Sequence, residues 1–229
     1  MQYKTMNIKC LALYGSCARG DQDASSDIDF FSIHDQNEYR MYINGNFNIA
    51  LYPERKAFEI MRAGNLFALH IKEESKPIFN KEMLNTLKDC FEYKDSYCEE
   101  ISIASTLGRF ILNEHNKIKN FALLNKRLSW CVRTILIAKS AEIKEPVFSR
   151  DDISRKFSCL KVSESVIGSL IDLKKKNTKE KRSVNLARVF FEHFSPINEY
   201  KNIPIESNFF LRKTVGKLLS DNNNSDCKY

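Results

Sequence analysis

Residues 14–31 read YGSCARGDQDASSDIDFF, a Gly-Ser pair followed after ten residues by Asp-Ile-Asp. The apolar run Met6–Tyr14 before it has the length of a buried strand, and Gly15-Ser16 breaks that run into a tight turn. Ala18–Ser26 is small and polar and predicts a loop with one short helical turn. Asp27–Ile33 then predicts a second strand. On a strand, alternate side chains share a face, so Asp27 and Asp29 are expected to project together while Ile28 and Phe30 enter the core. Paired carboxylates repel unless a cation neutralises them, and hard ions such as Mg²⁺ take such oxygen ligands together with substrate phosphates. The turn offers backbone N–H groups and the Ser16 hydroxyl to a phosphate oxygen, and Arg19 offers a bidentate cation. A phosphate cradle beside metal carboxylates is what phosphoryl or nucleotidyl transfer requires. No Lys-Ser/Thr follows the glycine, so this is not a P-loop.

Outward from this stretch, Glu38–Ile43 and Phe47–Tyr52 flank Asn44-Gly45 and predict a hairpin. Pro53 suits a helix start, with that helix ending at Gly64; a second helix is expected over Leu66–Glu74 and brief extended structure at Lys76–Phe79. Beyond Lys81 the pattern turns helical. Phe121, Leu124, Leu128, Cys131, Ile135 and Ala138 step by three and four, the buried stripe of one long helix. Further helices are expected at Ser163–Lys175, Ser183–Phe194 and Asn208–Leu219, with a Ser149-x-x-Asp152 start before Ile153. The tail Asp221–Tyr229 reads as disordered.

Charge separates the two parts. Residues 1–95 hold 12 Lys/Arg against 14 Asp/Glu, a net of −2, and residues 96–229 hold 24 against 15, a net of +9. A basic module beside a metal-binding one suits a polyanion, either a nucleoside triphosphate or a nucleic acid; a solvated Lys-rich helical surface explains the same numbers. No apolar run approaches a membrane span, and the N-terminus lacks the marks of a signal peptide. The seven cysteines are odd in number and scattered, with no zinc spacing, as expected of free thiols in the cytoplasm.

Gly15-Ser16-Cys17-Ala18-Arg19-Gly20 with Ser26-Asp27-Ile28-Asp29-Phe30 resembles the signature of the DNA polymerase β-like nucleotidyltransferase superfamily, above all its minimal nucleotidyltransferases, found as toxins, antitoxins and antibiotic-modifying enzymes. The resemblance implies a small mixed α/β (α+β) nucleotidyltransferase domain over 1–95, followed by an all-α bundle over 96–220. It also implies Mg²⁺ on Asp27 and Asp29 and triphosphate contacts from Gly15, Ser16 and Arg19. An NTP, ATP first, would donate its nucleoside monophosphate, with loss of pyrophosphate, to a hydroxyl or phosphate acceptor on tRNA, another RNA or a protein. The family's third acid lies on a later strand, here Phe47–Leu51, whose polar residue is Asn48, an amide that cannot act as a base. Glu54 is the nearest carboxylate. The alternative is therefore an antitoxin-like nucleotide-binding protein without turnover.

In the helical half, Arg127, Trp130 and Arg133 lie off the apolar stripe. Arg127 is a candidate triphosphate ligand and Trp130 a base-stacking residue, set against plain packing on a neighbouring helix. Six cations between Lys174 and Arg182 fit an RNA backbone or a solvated loop equally. Arg188 and His193 resemble the Arg-x4-His motif of HEPN ribonucleases, although five residues apart on a helix their side chains diverge by about 140°. His34, His70 and His115 show no partner in the sequence.

Overall fold

A computed structural model describes residues 6–24 and 26–220. The predicted disordered tail, 221–229, lies outside these residues. The chain forms two compact units, Met1–Asp95 and Ser96–Tyr229. The first is a mixed α/β layer and the second is helical.

The N-terminal unit runs β1 (Ile8–Tyr14), α1 (Ser16–Arg19), β2 (Ile28–His34), β3 (Arg40–Asn44), β4 (Phe47–Pro53), α2 (Glu54–Arg62), α3 (Leu66–Glu74), β5 (Lys76–Phe79) and α4 (Lys81–Asp89). The five strands form one sheet of order β3-β4-β2-β1-β5. β2, at its centre, pairs antiparallel with β1 and parallel with β4. The β3–β4 hairpin closes through Gly45-Asn46, with Asn44 paired to Phe47 and Gly45 at φ 59°, one residue later than the predicted turn. A positive φ at the first loop position is what glycine adopts without steric cost.

This register places Tyr14, Asp29 and Asn48 side by side on three adjacent strands. It also corrects the reading of β2. The strand begins at Ile28, so Asp27 precedes it, and Ile28 and Phe30 are only half-buried, Phe30 stacking on the exposed Phe47. The buried stretch is Phe31 to His34, four consecutive residues. A central strand covered on both faces loses the alternation that a one-sided strand would show. The rings of Tyr14, Phe31 and Tyr52 each pack against Phe67 of α3, which ties that helix to three strands.

The C-terminal unit contains α5 (Cys98–Glu114), α6 (Phe121–Glu142), α7 (Arg150–Phe157), α8 (Glu164–Ile171), α9 (Lys181–Phe194) and α10 (Phe209–Leu219), with short 3-10 turns at Asp172–Lys175 and Ile205–Ser207. Leu124, Leu128, Cys131, Ile135 and Ala138 of the predicted stripe are buried along α6. Its neighbours begin with polar caps: Ser149 accepts from the N–H of Asp152, and Asn208 from that of Leu211. Each satisfies a helix-end donor that burial would otherwise orphan. No described helix is long and apolar enough to cross a membrane.

Candidate nucleotide site

The site is built where β1 ends. Gly15 adopts φ 74°, ψ −154°, a conformation open in practice only to glycine. The chain then enters α1 at Ser16. Ala18 and Arg19 donate their N–H groups to the Gly15 carbonyl, and Gly20, at φ 88°, donates to that of Ser16. The short helix is thus closed at both ends by glycines. The N–H groups of Ser16 and Cys17, its first two residues, have no acceptor within the helix. The Ser16 hydroxyl makes no hydrogen bond among the described residues.

Glycine at position 15 has a second role. A Cβ there would lie 3.3 Å from Oδ2 of Asp29, so the turn backbone rests directly on the carboxylate of β2. The other oxygen, Oδ1, accepts from Nδ2 of Asn48 at 3.0 Å. Asn48 is 4% exposed and occupies the strand position aligned with Asp29. Asp27 is half-buried just before β2, and its carbonyl accepts from the Cys17 thiol at 3.4 Å, which links the loop before β2 to α1. Gly15, Ser16 and Asp29 therefore converge, with Asp27 two residues upstream of Asp29.

Arg19 does not stand free for a phosphate. Its Nε and Nη2 donate to the two oxygens of Asp21 at 3.1 and 3.0 Å, and Nη1 pairs with Glu74. Glu74, at the end of α3, is 8% exposed, and its second oxygen meets Nδ1 of His70 at 2.8 Å. Burial alone would raise the Glu74 carboxyl, but the His70 hydrogen bond and the charges of His70 and Arg19 hold it below the ordinary glutamate value. Glu74 anchors Arg19 and is a site-bordering residue that the sequence reading missed. His70 and Glu74, four apart on one helix face, were the available signal. The other histidines also have partners. Nδ1 of His34 accepts from the Gln36 N–H at 3.1 Å, and Nδ1 of His115 lies 2.9 Å from the Leu112 carbonyl oxygen.

Glu54 does not complete the site. It opens α2 and pairs with Lys9, beyond Pro53, which aligns with His34 at the opposite end of the β2–β4 pair from Asp29 and Asn48. Among the described residues no group of three or more His, Cys, Asp and Glu is arranged to hold a metal. The donors present are two carboxylates of one strand entry and a neutral amide. Hard oxygen donors of this kind would suit a Mg²⁺ that completes its shell with water.

The candidates of the C-terminal unit have partners within that unit. The guanidinium carbon of Arg127 lies 5.8 Å from the ring centre of Phe210, on which Trp130 also packs at 4.9 Å. Arg133 donates to the Phe148 carbonyl at 3.0 Å. Arg188 and His193 are not brought together. Arg188 donates to the Leu112 carbonyl at 2.8 Å, while Nε2 of His193 lies 3.3 Å from the sulfur of Cys159.

The family model described as polymerase beta nucleotidyltransferase matches residues 2–84. A crystal structure of a nucleotidyltransferase-like protein from Exiguobacterium sibiricum is similar over 84% of this chain and 69% of that one, at 15% identity and a TM-score of 0.34. No curated protein matches the sequence. The matched residues contain the Gly15-Ser16 turn and Asp27-Ile28-Asp29, so the N-terminal unit is similar to the polymerase beta nucleotidyltransferase family.

Proposed function

We propose that the N-terminal unit binds a nucleoside triphosphate, ATP first, with Mg²⁺ on Asp27 and Asp29, and transfers its nucleoside monophosphate to an acceptor hydroxyl or phosphate. The observation that carries this reading is the contact of the Gly15 backbone with the Asp29 carboxylate, which sets a phosphate-binding turn against a metal ligand. The N–H groups of Ser16 and Cys17 and the Ser16 hydroxyl hold triphosphate oxygens. Arg19, locked by Glu74 and Asp21, braces the end of the turn. Bound Mg²⁺ supplies neutralisation of the triphosphate and of the departing pyrophosphate. The net +9 of residues 96–229 favours an RNA acceptor, tRNA included, over a cationic small molecule, and a partner protein in a toxin–antitoxin or defence setting is the other option.

Incubation with α-labelled ATP, Mg²⁺ and candidate RNAs should yield labelled acceptor and pyrophosphate, and Asp27→Ala or Asp29→Ala should abolish both. Turnover that survives both substitutions refutes the assignment.

A second reading has its own observation. Asn48 donates to Asp29 where the superfamily places a third acid, so among the described residues no carboxylate occupies that strand position to take the acceptor's proton. On this reading the protein binds Mg²⁺·ATP and does not turn it over. Calorimetric binding of Mg²⁺·ATP without pyrophosphate release for any acceptor selects it.

A further inference from the structure

Part of the positive charge of the C-terminal unit already has partners. In the basic run before α9, Lys176 pairs with Glu180 at 2.9 Å and Lys175 with Asp172 at 3.8 Å. Lys179 is tied to the His115 carbonyl and to Oδ1 of Asn116, both at 3.0 Å. These three lysines brace the connection that leads into α9.

Two arginines elsewhere in the unit differ. Arg109 of α5 and Arg188 of α9 line one cleft of about 300 Å³, together with Leu112, Asn113, Phe191 and Glu192. Each guanidinium spends an N–H on a backbone carbonyl, Arg109 on Ser195 and Arg188 on Leu112. Neither forms an ion pair with a carboxylate among the described residues, Glu192 included. A guanidinium carries five N–H donors, so most of the donors on both groups remain unspent. Two like charges in one cleft without a counter-ion repel, and an anion between them removes that cost. Burial pulls the Arg109 guanidinium below its ordinary value, as for a cation that lacks a matching charge.

The cleft is set by packing rather than by the arginines. Gly108 lets the Phe191 ring edge reach the backbone of α5, where a Cβ would stand 2.0 Å from Cζ of Phe191. This close approach fixes the spacing of α5 and α9, the two helices that carry the arginines. Planar forks of this kind match phosphate oxygens bidentately. With Glu192 in the lining the formal charge is +1, which a singly charged phosphate ester balances and a neutral ligand does not.

We propose that this cleft binds the phosphate group of a small phosphate ester, with Arg109 and Arg188 both donating to its oxygens. The cleft consists only of C-terminal residues, so the proposal stands apart from the nucleotide site of the other unit. The test uses the full chain in EDTA, titrated calorimetrically with AMP, inorganic phosphate and adenosine. AMP and phosphate should bind and adenosine should not. Arg109→Gln and Arg188→Gln should each weaken binding by about ten- to a hundredfold, the range for hydrogen bonds to charged groups. Glu192→Gln should strengthen it. Asp29→Asn separates the two sites. If AMP binding falls in Asp29→Asn and not in the arginine variants, the ligand sits in the N-terminal unit and the cleft proposal is overturned. A measurement on the unaltered chain guards against misfolded variants: AMP should protect Arg109 and Arg188 from phenylglyoxal, read by peptide mass spectrometry. Equal modification of both with and without AMP overturns the proposal, as does adenosine binding as tightly as AMP.

Discussion

Asn48→Asp probes the centre of the candidate site. In the native protein the Asn48 amide donates to Oδ1 of Asp29 at 3.0 Å. A carboxylate there exchanges that bond for two like charges about 3 Å apart, a repulsion of roughly 5 kcal/mol at an effective dielectric of about 20. Asp29 is half-exposed, and solvent screening reduces this to about 2–3 kcal/mol. For a unit of 95 residues that corresponds to a fall in melting temperature of about 10 °C or more. The pair would share one proton, which raises the folded pKa of one member above its unfolded value near 4. The folded variant then holds a proton that the unfolded chain has released, so stability falls as pH rises. The deficit should be absent below about pH 4 and complete above the raised pKa. A divalent cation should reverse it, because three acids around the Gly15 turn make a stronger metal site than two. The assay is thermal unfolding of wild type and variant at pH 4 and pH 7, in EDTA and in millimolar Mg²⁺. A variant that melts within about 2 °C of wild type in EDTA at pH 7, or that gains nothing from Mg²⁺, would falsify the placement of Asn48 against Asp29 as the metal-site position. Pyrophosphate release should rise in the same variant if the missing acid limits turnover.

Three other perturbations follow from the structure. Glu74→Gln removes the charge that holds Arg19 and His70, and breaking so buried a pair should cost about 3 kcal/mol at pH 7 in chemical denaturation. Because the Glu74 carboxyl is held below its ordinary value, its contribution is present above the unfolded glutamate pKa and lost as pH falls through the folded one. Wild type should therefore lose its margin over the variant in acid; a margin independent of pH would refute this. Gly108→Ala should destabilise by about 1–3 kcal/mol although alanine is the better helix former, since its Cβ meets Phe191 at 2.0 Å; a variant as stable as wild type in urea shows that the two helices separate freely. Cys159, exposed and paired with His193, should react with iodoacetamide faster than Cys10 and Cys131, whose thiols burial pushes up, Cys10 to about 11; His193→Asn should slow Cys159 alone, and equal rates in the two proteins refute the pairing.

What the sequence made legible was local. Leu66–Glu74 stands where the pattern put it, because Asn65 caps its first turn and the pattern itself marks where the helix gives way to β5. The Asn44-Gly45 signal located the hairpin, and through the hairpin the strand on which a third acid belongs. Once β4 runs parallel to β2, Asn48 must stand beside Asp29. The failures came where a partner lies far along the chain or where a strand is covered twice. Phe31–His34 carry no alternation, so the pattern puts Ile28 and Phe30 in a core that begins at Phe31. Arg19 resembled a phosphate ligand because Glu74, 55 residues on, is invisible in a local reading. The same distance effect hid the link between Cys159 and His193, and between Arg109 and Arg188. The motif identified the turn and the acids from residue type and spacing alone. Whether that turn is prepared for a phosphate depends on what occupies its cation, and here a buried glutamate does so before any ligand arrives. Arg19 is therefore held by Asp21 and Glu74, and on the proposed reading the N–H groups of Ser16 and Cys17 and the Ser16 hydroxyl meet the triphosphate.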